Sequence, residues 1–185
     1  MRVRSNVALK IVAGVACASC FCFLSAGTPD GKKERPRSKE EVQLLHSDVL
    51  YKNRSDVRAD VLVGHVKLYH DGMYLDCDSA RYYKEENSFH AYGNVKMVQG
   101  DTLTLTSDTL LYDGPMLQAH AMGNAVLTHK KTKLVTSVID YDRLEGVGFY
   151  PQHGTLYDED NVLDSDYGQY TPALSEAVFE DHGVL

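Results

Sequence analysis

A short motif recurs along this chain about every 30 residues, a spacing typical of stacked supersecondary units. The copies begin at Gly64-His65-Val66, Gly93-Asn94-Val95 and Gly123-Asn124-Ala125, and a weaker copy begins at Gly154. One such unit cannot bury its own apolar face, so neighbouring units have to stack and share a core. The repeat therefore predicts one elongated domain with a continuous apolar seam.

Apolar and polar residues alternate within each repeat. Leu103 and Leu105 alternate with Thr104 and Thr106 in the repeat that begins at Gly93. Alternation with a period of two is the pattern of a β-strand with one covered face, and the repeats show no helical stripe. Turn-forming residues such as His70-Asp71-Gly72 separate the strands. The pattern predicts an all-β domain with strands of about 5 to 8 residues.

The alternation changes phase once in every unit. From Leu105 to Leu110 the spacing is odd, so the inward-facing set shifts by one position after Ser107, and a bulge or corner is expected there. Strand pairs that fold back in this way give two facing antiparallel sheets with an apolar groove between them. The side chains expected to line this groove are Val66, Leu68, Met73, Leu75, Ala80, Val95, Met97, Leu103, Leu105, Leu110, Leu127, Leu134 and Ile139.

The N-terminal 26 residues have the composition of a secretory signal peptide. Arg2, Arg4 and Lys10 precede an uncharged apolar run of about 16 residues, which is short of the ~20 that span a bilayer comfortably. Leu24-Ser25-Ala26 offers small residues for cleavage. The interpretation is export to the periplasm. Two alternatives stay open: an uncleaved membrane anchor, and a lipoprotein, since three cysteines lie in the run.

Composition divides the remainder of the chain. Residues 27–41 are polar and lack periodicity, which predicts a disordered linker. The β-domain is expected over residues 42–172. Residues 173–185 form a tail for which a short helix and disorder are both open.

Several function classes are disfavoured. The net charge is −7 and basic residues form no stripe, so nucleic acid is not an expected partner. No nucleophile elbow, phosphate loop or His-Glu-x-x-His motif occurs, so no enzyme is expected. Asp76-Cys77-Asp78 has the Asp-x-Asp spacing of some metal sites. Alternation places both carboxylates on the same face of a strand, and on an exposed face they are expected to be solvated charges. Neither a metal nor a cofactor is therefore expected.

The stretch from Gly93 to Tyr112 (GNVKMVQGDTLTLTSDTLLY) closely resembles the OstA/LptA family of lipopolysaccharide-transport proteins. The shared features are the Gly-Asn-Val start, the Gly-Asp turn, the Leu/Thr alternation and Ser-Asp before a tyrosine. Leu62 to Tyr82 repeats the pattern. The similarity covers roughly residues 42–171 and is greatest to the OstA-like branch found in Bacteroidetes.

The resemblance implies a periplasmic β-jellyroll, also called a β-taco. Family members hold the acyl chains of lipopolysaccharide between two sheets and help to bridge the inner and outer membranes. The implied partners are lipopolysaccharide and other jellyroll proteins joined by edge-strand pairing, with end-to-end self-association as a further possibility. The candidate edges are Val42–Tyr51 and Val162–Tyr170, and the N-terminal edge is expected to meet an inner-membrane partner.

Two other function classes remain open at this point. One is an exported structural or adhesive surface module whose apolar columns form a filled core. The other is a carbohydrate-active solenoid that uses Asp76, Asp78 or Asp108. Lipid binding separates these possibilities from a transport protein.

Overall fold

The structure is a computed structural model that describes residues 10–13, 36–159 and 161–180. Within these ranges the chain forms one sheet of fourteen strands and a single-turn 3-10 helix at Pro172–Leu174. The strands are β1 (Lys10–Ala13), β2 (Gln43–His46), β3 (Val49–Lys52), β4 (Asp60–His70), β5 (Met73–Tyr83), β6 (Ser88–Gln99), β7 (Leu103–Asp113), β8 (Gln118–His129), β9 (Thr132–Asp142), β10 (Val147–Tyr150), β11 (Gly154–Asp158), β12 (Asn161–Ser165), β13 (Tyr167–Thr171) and β14 (Glu176–Glu180). The prediction of an all-β chain is confirmed.

The six central strands, β4 to β9, pair antiparallel in sequence order and have 11 or 12 residues each. They are longer than the sequence predicted. Each central pair has a register shift near its middle, for instance between Tyr92 and Val95 on β6 opposite Ser107 and Thr109 on β7. Such a bulge bends a strand without ending it. Two predicted short strands are therefore two halves of one bent strand.

A repeated Asp–Gly-Asn contact forms the bend. Gly93 and Asn94 both have positive φ, and Asn94 Nδ2 donates a hydrogen bond of 2.8 Å to Asp78 Oδ2 on the neighbouring strand. The next repeat has the same 2.8 Å bond from Asn124 to Asp108. Glycine suits this conformation, and the carboxylate occupies the space that a Cβ would need. The motif that defines the repeat thus forms the corner of the fold.

The bends fold the sheet into two facing layers. The first layer contains β3, β10, β13, β14 and the segments 60–63, 79–83, 88–92, 109–113, 118–122 and 138–142. The second layer contains β2, β11, β12 and the segments 66–70, 73–77, 95–99, 103–107, 125–129 and 132–136. The corners close one side. We call the opposite side, where the turns of both layers lie, the rim.

One apolar row crosses each layer in register. Alternation places the members of a row on the inner face, and antiparallel pairing aligns them from strand to strand. The row of the second layer is Leu44, Leu68, Leu75, Met97, Leu105, Leu127, Leu134, Leu156 and Leu163. The row of the first layer is Leu62, Ala80, Ala91, Leu110, Ala121 and Ile139.

The two ends of the chain add strands outside the central repeats. Beyond the domain end expected at residue 172, β14 pairs antiparallel with β13, so this part of the tail is a strand. β1 lies within the segment interpreted as a signal peptide and pairs parallel with β14. The remainder of that segment, most of the linker and the last five residues lie outside the described residues. Across the described ranges, no helix has the length and apolarity that a membrane crossing requires.

Candidate functional site

All thirteen side chains predicted to line a groove lie between the two layers. None is more than 8% exposed, and all belong to one apolar cluster. The alternation in the sequence therefore places these thirteen residues correctly on an inner surface that both layers form. Whether these residues contact a ligand is a separate question.

The space between the layers is filled by side chains of the protein. A Cβ placed on Gly148 of the first layer would lie 2.8 Å from Leu127 Cδ2 of the second layer. Tyr150 and Ser165 join the layers through a 2.7 Å hydrogen bond between their hydroxyls. The alanine-rich row of the first layer allows this close approach, because a methyl group leaves room for a leucine opposite. The groove is packed shut in this conformation.

A buried arginine closes the rim. Arg143, only 7% exposed, extends from the β9–β10 turn of the first layer. Its guanidinium donates to Gln99 Oε1 at 3.1 Å and to the Asp71 carbonyl at 2.7 Å, both in the second layer. It also donates a 2.5 Å hydrogen bond to the Tyr112 hydroxyl of its own layer. One planar group thus connects both sides of the rim.

A tyrosine and a histidine continue this network. The Tyr112 hydroxyl lies 2.7 Å from His70 Nδ1, and His70 Nε2 lies 2.9 Å from the Glu40 carbonyl. With the ring proton on Nε2, His70 donates to Glu40 and accepts from Tyr112, and every donor has one acceptor. His70 is fully buried. Its polar atoms therefore depend on these two partners.

Residues 38–42 lie along the rim, and we call them the strap. Ser38 N donates to the Pro115 carbonyl at 2.9 Å, and Tyr82 Oη donates to the Val42 carbonyl at 2.7 Å. Asn87 clamps the strap twice: its Oδ1 accepts from Val42 N at 2.7 Å, and its Nδ2 donates to the Glu40 carbonyl at 2.7 Å. The sequence assigned most of this segment to a linker. In the structure it covers the gap between the layers.

Burial changes the acidity of several inner groups. Desolvation raises the pKa of Tyr112 to about 12, although the Arg143 charge and hydrogen bond oppose it. Desolvation likewise raises the pKa of Tyr141 to about 12. The pKa of the Cys77 thiol is also raised to about 12 by burial, so the thiol stays protonated and packs as a small apolar group.

The two tyrosines make stability sensitive to alkali. Below pH 10 both are protonated in the folded and unfolded chain. Above pH 10 the unfolded chain loses these protons first, so stability falls as the pH rises towards 12. We expect the free energy of unfolding to fall by about 2 to 3 kcal/mol between about pH 9 and pH 11 through these two groups. Urea unfolding across this range measures the slope.

Two tyrosine variants serve as controls for this slope. Tyr141→Phe should reduce the fall by about 1 kcal/mol, which is the share of one of these two tyrosines. The Cys77 thiol, whose pKa is also raised, keeps its own contribution in this variant. Tyr51→Phe should leave it unchanged, because Tyr51 is 52% exposed. A slope in Tyr141→Phe equal to that of the parent would contradict the assignment.

A second concave feature lies on the outer face of the first layer. It is a half-open depression of about 790 Å³, a size common among small-molecule sites, and its lining includes His90, Leu111, His120, Asp140, Phe149 and Gln169. Strand pairing places these six residues in one row across the sheet. His120 Nδ1 and Asp140 Oδ1 are 2.5 Å apart. The depression was not predicted from the sequence, because alternation assigns a side chain to a face but carries no information on the curvature of that face.

The residues of the rim were not predicted from the sequence either. His70, Asn87 and Arg143 lie in or beside turns, where alternation carries no information. One sequence signal was available, because a tyrosine recurs about every 30 residues, and its copies Tyr82, Tyr112, Tyr141 and Tyr170 are all buried on the inner face of the first layer. The preceding tyrosine, Tyr51, is instead half exposed. Among the described residues, no group of three or more metal-ligating side chains could hold an ion.

Comparison with known proteins agrees with this architecture. No curated protein matches the chain. The crystal structure of LptH from Pseudomonas aeruginosa, the LptA-homologous periplasmic component of that organism's lipopolysaccharide transport device, is similar at a TM-score of 0.50 and 18% identity, covering 54% of this chain and 76% of that one. This likeness supports the jellyroll fold. The family model described as OstA-like protein matches residues 39–185, so the chain belongs to the OstA-like protein family.

Proposed function

We propose that this chain is a periplasmic lipopolysaccharide-transport protein that shields acyl chains between its two layers. Family membership and the fold shared with LptH support the proposal. The observation that carries it is the pair of uninterrupted apolar rows, which run across every central strand. Such rows offer a series of equivalent apolar positions, and movement between equivalent positions has little net cost.

Apolar shielding matches the physical need. Each methylene removed from water contributes about 0.8 kcal/mol, so an acyl chain of about ten methylenes is strongly held back from crossing water unaided. A carrier that covers the chain throughout removes this barrier and requires no chemistry of its own. In this proposal the protein is passive, and an energy-coupled partner supplies direction.

Acyl chains can be accommodated only if the layers move apart, because the inner side chains now fill the space. At the rim, the layers can separate by breaking side-chain hydrogen bonds such as those of Arg143, and the strand pairing stays intact. At the corners they cannot separate, because each central strand continues from one layer into the other. The proposed ligand therefore enters from the rim, and the layers hinge about the corners.

The ends of the layers provide sites for partner proteins. β12 pairs with β11 and forms an edge of the second layer, while β2 and β3 both pair with β4 at the other end. Exposed strand edges accept a further strand from another chain. We propose that these edges join other jellyrolls of a bridge between the membranes, with the β2–β3 end towards an inner-membrane partner. Export by cleavage after residue 26 is part of the same proposal, with an uncleaved anchor or lipoprotein as alternatives.

Two phenylalanines on opposite faces of the first layer allow a matched test. Phe89 is fully buried on the inner face and stacks on Tyr112 with ring centres 4.9 Å apart, whereas Phe149 is 41% exposed on the outer face. Each is replaced in turn by p-benzoylphenylalanine, and the protein is irradiated with lipopolysaccharide. We expect an adduct at position 89 and little at position 149, measured by mass spectrometry.

The other outcomes are also informative. An adduct at position 149 alone would move the ligand to the outer depression and refute the groove. If neither the parent protein nor either variant binds lipopolysaccharide, lipid carriage itself is refuted. Circular dichroism of the position 89 variant confirms that its layers still pack.

The filled interior favours one second candidate. A surface module with structural or adhesive function needs a packed core, and all thirteen inner candidates are buried in this way. This function requires no separation of the layers. Absence of lipopolysaccharide binding by the folded parent protein would select it.

A further inference from the structure

The strap is held by donors that point into the rim from both layers. His70 Nε2 and Asn87 Nδ2 both donate to the Glu40 carbonyl, and Tyr82 Oη donates to the Val42 carbonyl. Arg143 is connected to this set through the Tyr112 hydroxyl, which accepts from its guanidinium and contacts His70 at Nδ1, the ring nitrogen that faces away from the strap. The strap thus places backbone oxygens in front of a converging set of hydrogen-bond donors.

We propose that this donor set is a binding site for the phosphate-bearing head group of an amphiphile, and that the strap occupies it until the ligand arrives. The inference rests on the proposed function, since it describes how the same lipid would be held at the rim. Phosphate oxygens only accept hydrogen bonds, as the strap carbonyls do, so they can replace Glu40 and Val42 at the same donors. Acyl chains would then lie between the layers behind the head group.

A cation connected to these donors through Tyr112 favours a phosphate. The hydrogen bonds that Arg143 makes to Gln99, Tyr112 and the Asp71 backbone all use neutral oxygens. A guanidinium that is taken out of water in this way gains from an anionic partner, and its planar fork matches a phosphate. The negative charges of Asp71 and Asp113 help to raise the pKa of Tyr112, so the electrostatic field around the site is not uniformly positive. Selectivity for a phosphate therefore depends on Arg143 and on the hydrogen-bond donors.

The strap is weakly held compared with the rest of the fold. Apart from Val42, which is 3% exposed, and the half-buried Ser38, its side chains are exposed. Its attachment consists mainly of hydrogen bonds to side chains, which a ligand with matching oxygens can replace one for one. The central strands, by contrast, pair along their whole lengths. The strap can therefore leave while the layers remain folded.

Two detergents with the same alkyl chain test the head-group preference. Dodecyl phosphate and dodecyl maltoside are titrated, below their micelle concentrations, into the full chain, and inorganic phosphate is the third probe. We expect dodecyl phosphate to bind at least tenfold more tightly than dodecyl maltoside. Hydrogen–deuterium exchange should show faster exchange of the Ser38 and Val42 amides with dodecyl phosphate, because both amides are hydrogen-bonded when the strap is in place.

Two variants separate the strap from the head-group site. Val42→Ala loosens the strap without removing a donor, and we expect it to strengthen dodecyl phosphate binding several-fold. Leu45→Ala, at a 51% exposed position just beyond the strap, should leave binding unchanged. Arg143→Met should reduce the preference for phosphate over maltoside about tenfold. If Arg143→Met fails to fold, the Val42→Ala result and the exchange data still decide the matter.

The outcomes distinguish this inference from the proposed function. If both detergents bind equally and the strap amides stay protected, the ligand does not enter through the strap and the inference is wrong, while lipid carriage survives. If neither detergent nor lipopolysaccharide binds, the proposed function fails as well. Release of the strap by inorganic phosphate alone would make this a site for a soluble anion and overturn the assignment to an amphiphile.

Discussion

Replacing Leu105 with alanine should lower the free energy of unfolding by about 3 kcal/mol, within the range of about 2 to 5 kcal/mol for buried leucines. Leu105 is fully buried at the centre of the apolar row of the second layer, paired with Met97 on one side and Leu127 on the other. Both neighbours are held in register by strand pairing, so they cannot collapse into the space that the side chain leaves. Urea unfolding followed by circular dichroism measures the loss.

Leu50→Ala is the matched control, because Leu50 is also a strand leucine but is 52% exposed. Its substitution should cost less than about 1 kcal/mol, since little apolar surface returns to water. Equal losses in the two variants would show that the row is not a packed interior.

Gly93→Ala should destabilise the protein by about 2 to 4 kcal/mol, through backbone strain and the loss of the corner hydrogen bond. Gly93 has a φ of +74°, which side chains rarely tolerate. The new Cβ would also overlap the Asp78 carboxylate, which would have to move away from Asn94. Thermal and urea unfolding both report the change.

Gly72→Ala separates the two causes of that loss. Gly72 also has a φ of +74°, but no atom lies within 4 Å of the position that its Cβ would take. Its cost should be about 1 to 2 kcal/mol, from backbone strain alone. If the two variants lose the same stability, the contact with Asp78 contributes nothing and the corner depends only on backbone conformation.

The corner explains which parts of the fold were predictable. The phase change after Ser107 predicted a bulge, and the register shift between Thr106 and Thr109 confirms it. The predicted strand length of about 5 to 8 residues was too short for a related reason. A bulge and a turn both interrupt alternation in sequence, and only the pairing of both halves with the same neighbour shows that the strand continues.

The inner surface was predictable for a different reason. In a bent strand with one covered face, periodicity alone assigns each side chain to a face, and all thirteen candidates lie inside. The alanines of the opposite row were less visible, because small residues carry little hydrophobic signal. Ala91 and Ala121 nevertheless set how closely the layers approach.

Strand β14 shows where local pattern fails. Its sequence, EAVFE, has three apolar residues in a row and follows Pro172, so the pattern left a short helix or disorder as the two expectations. The edge of β13 decides the outcome, because it supplies five residues of pairing to this segment. Local propensity is weak over such a length, and tertiary pairing overrides it.

The sequence by itself determined the repeat, the strand alternation, the corner and the inward set, because each follows from local geometry with a fixed period. Only the tertiary structure decided that the two layers close on each other and that residues 38–42 cover the rim. Those features depend on Arg143 reaching Asp71 and on His70 reaching Glu40, contacts between residues far apart in the chain. Periodicity carries no information on such contacts. The side chains involved lie in or beside turns, the strap has no apolar pattern, and the two come together only when the sheet folds.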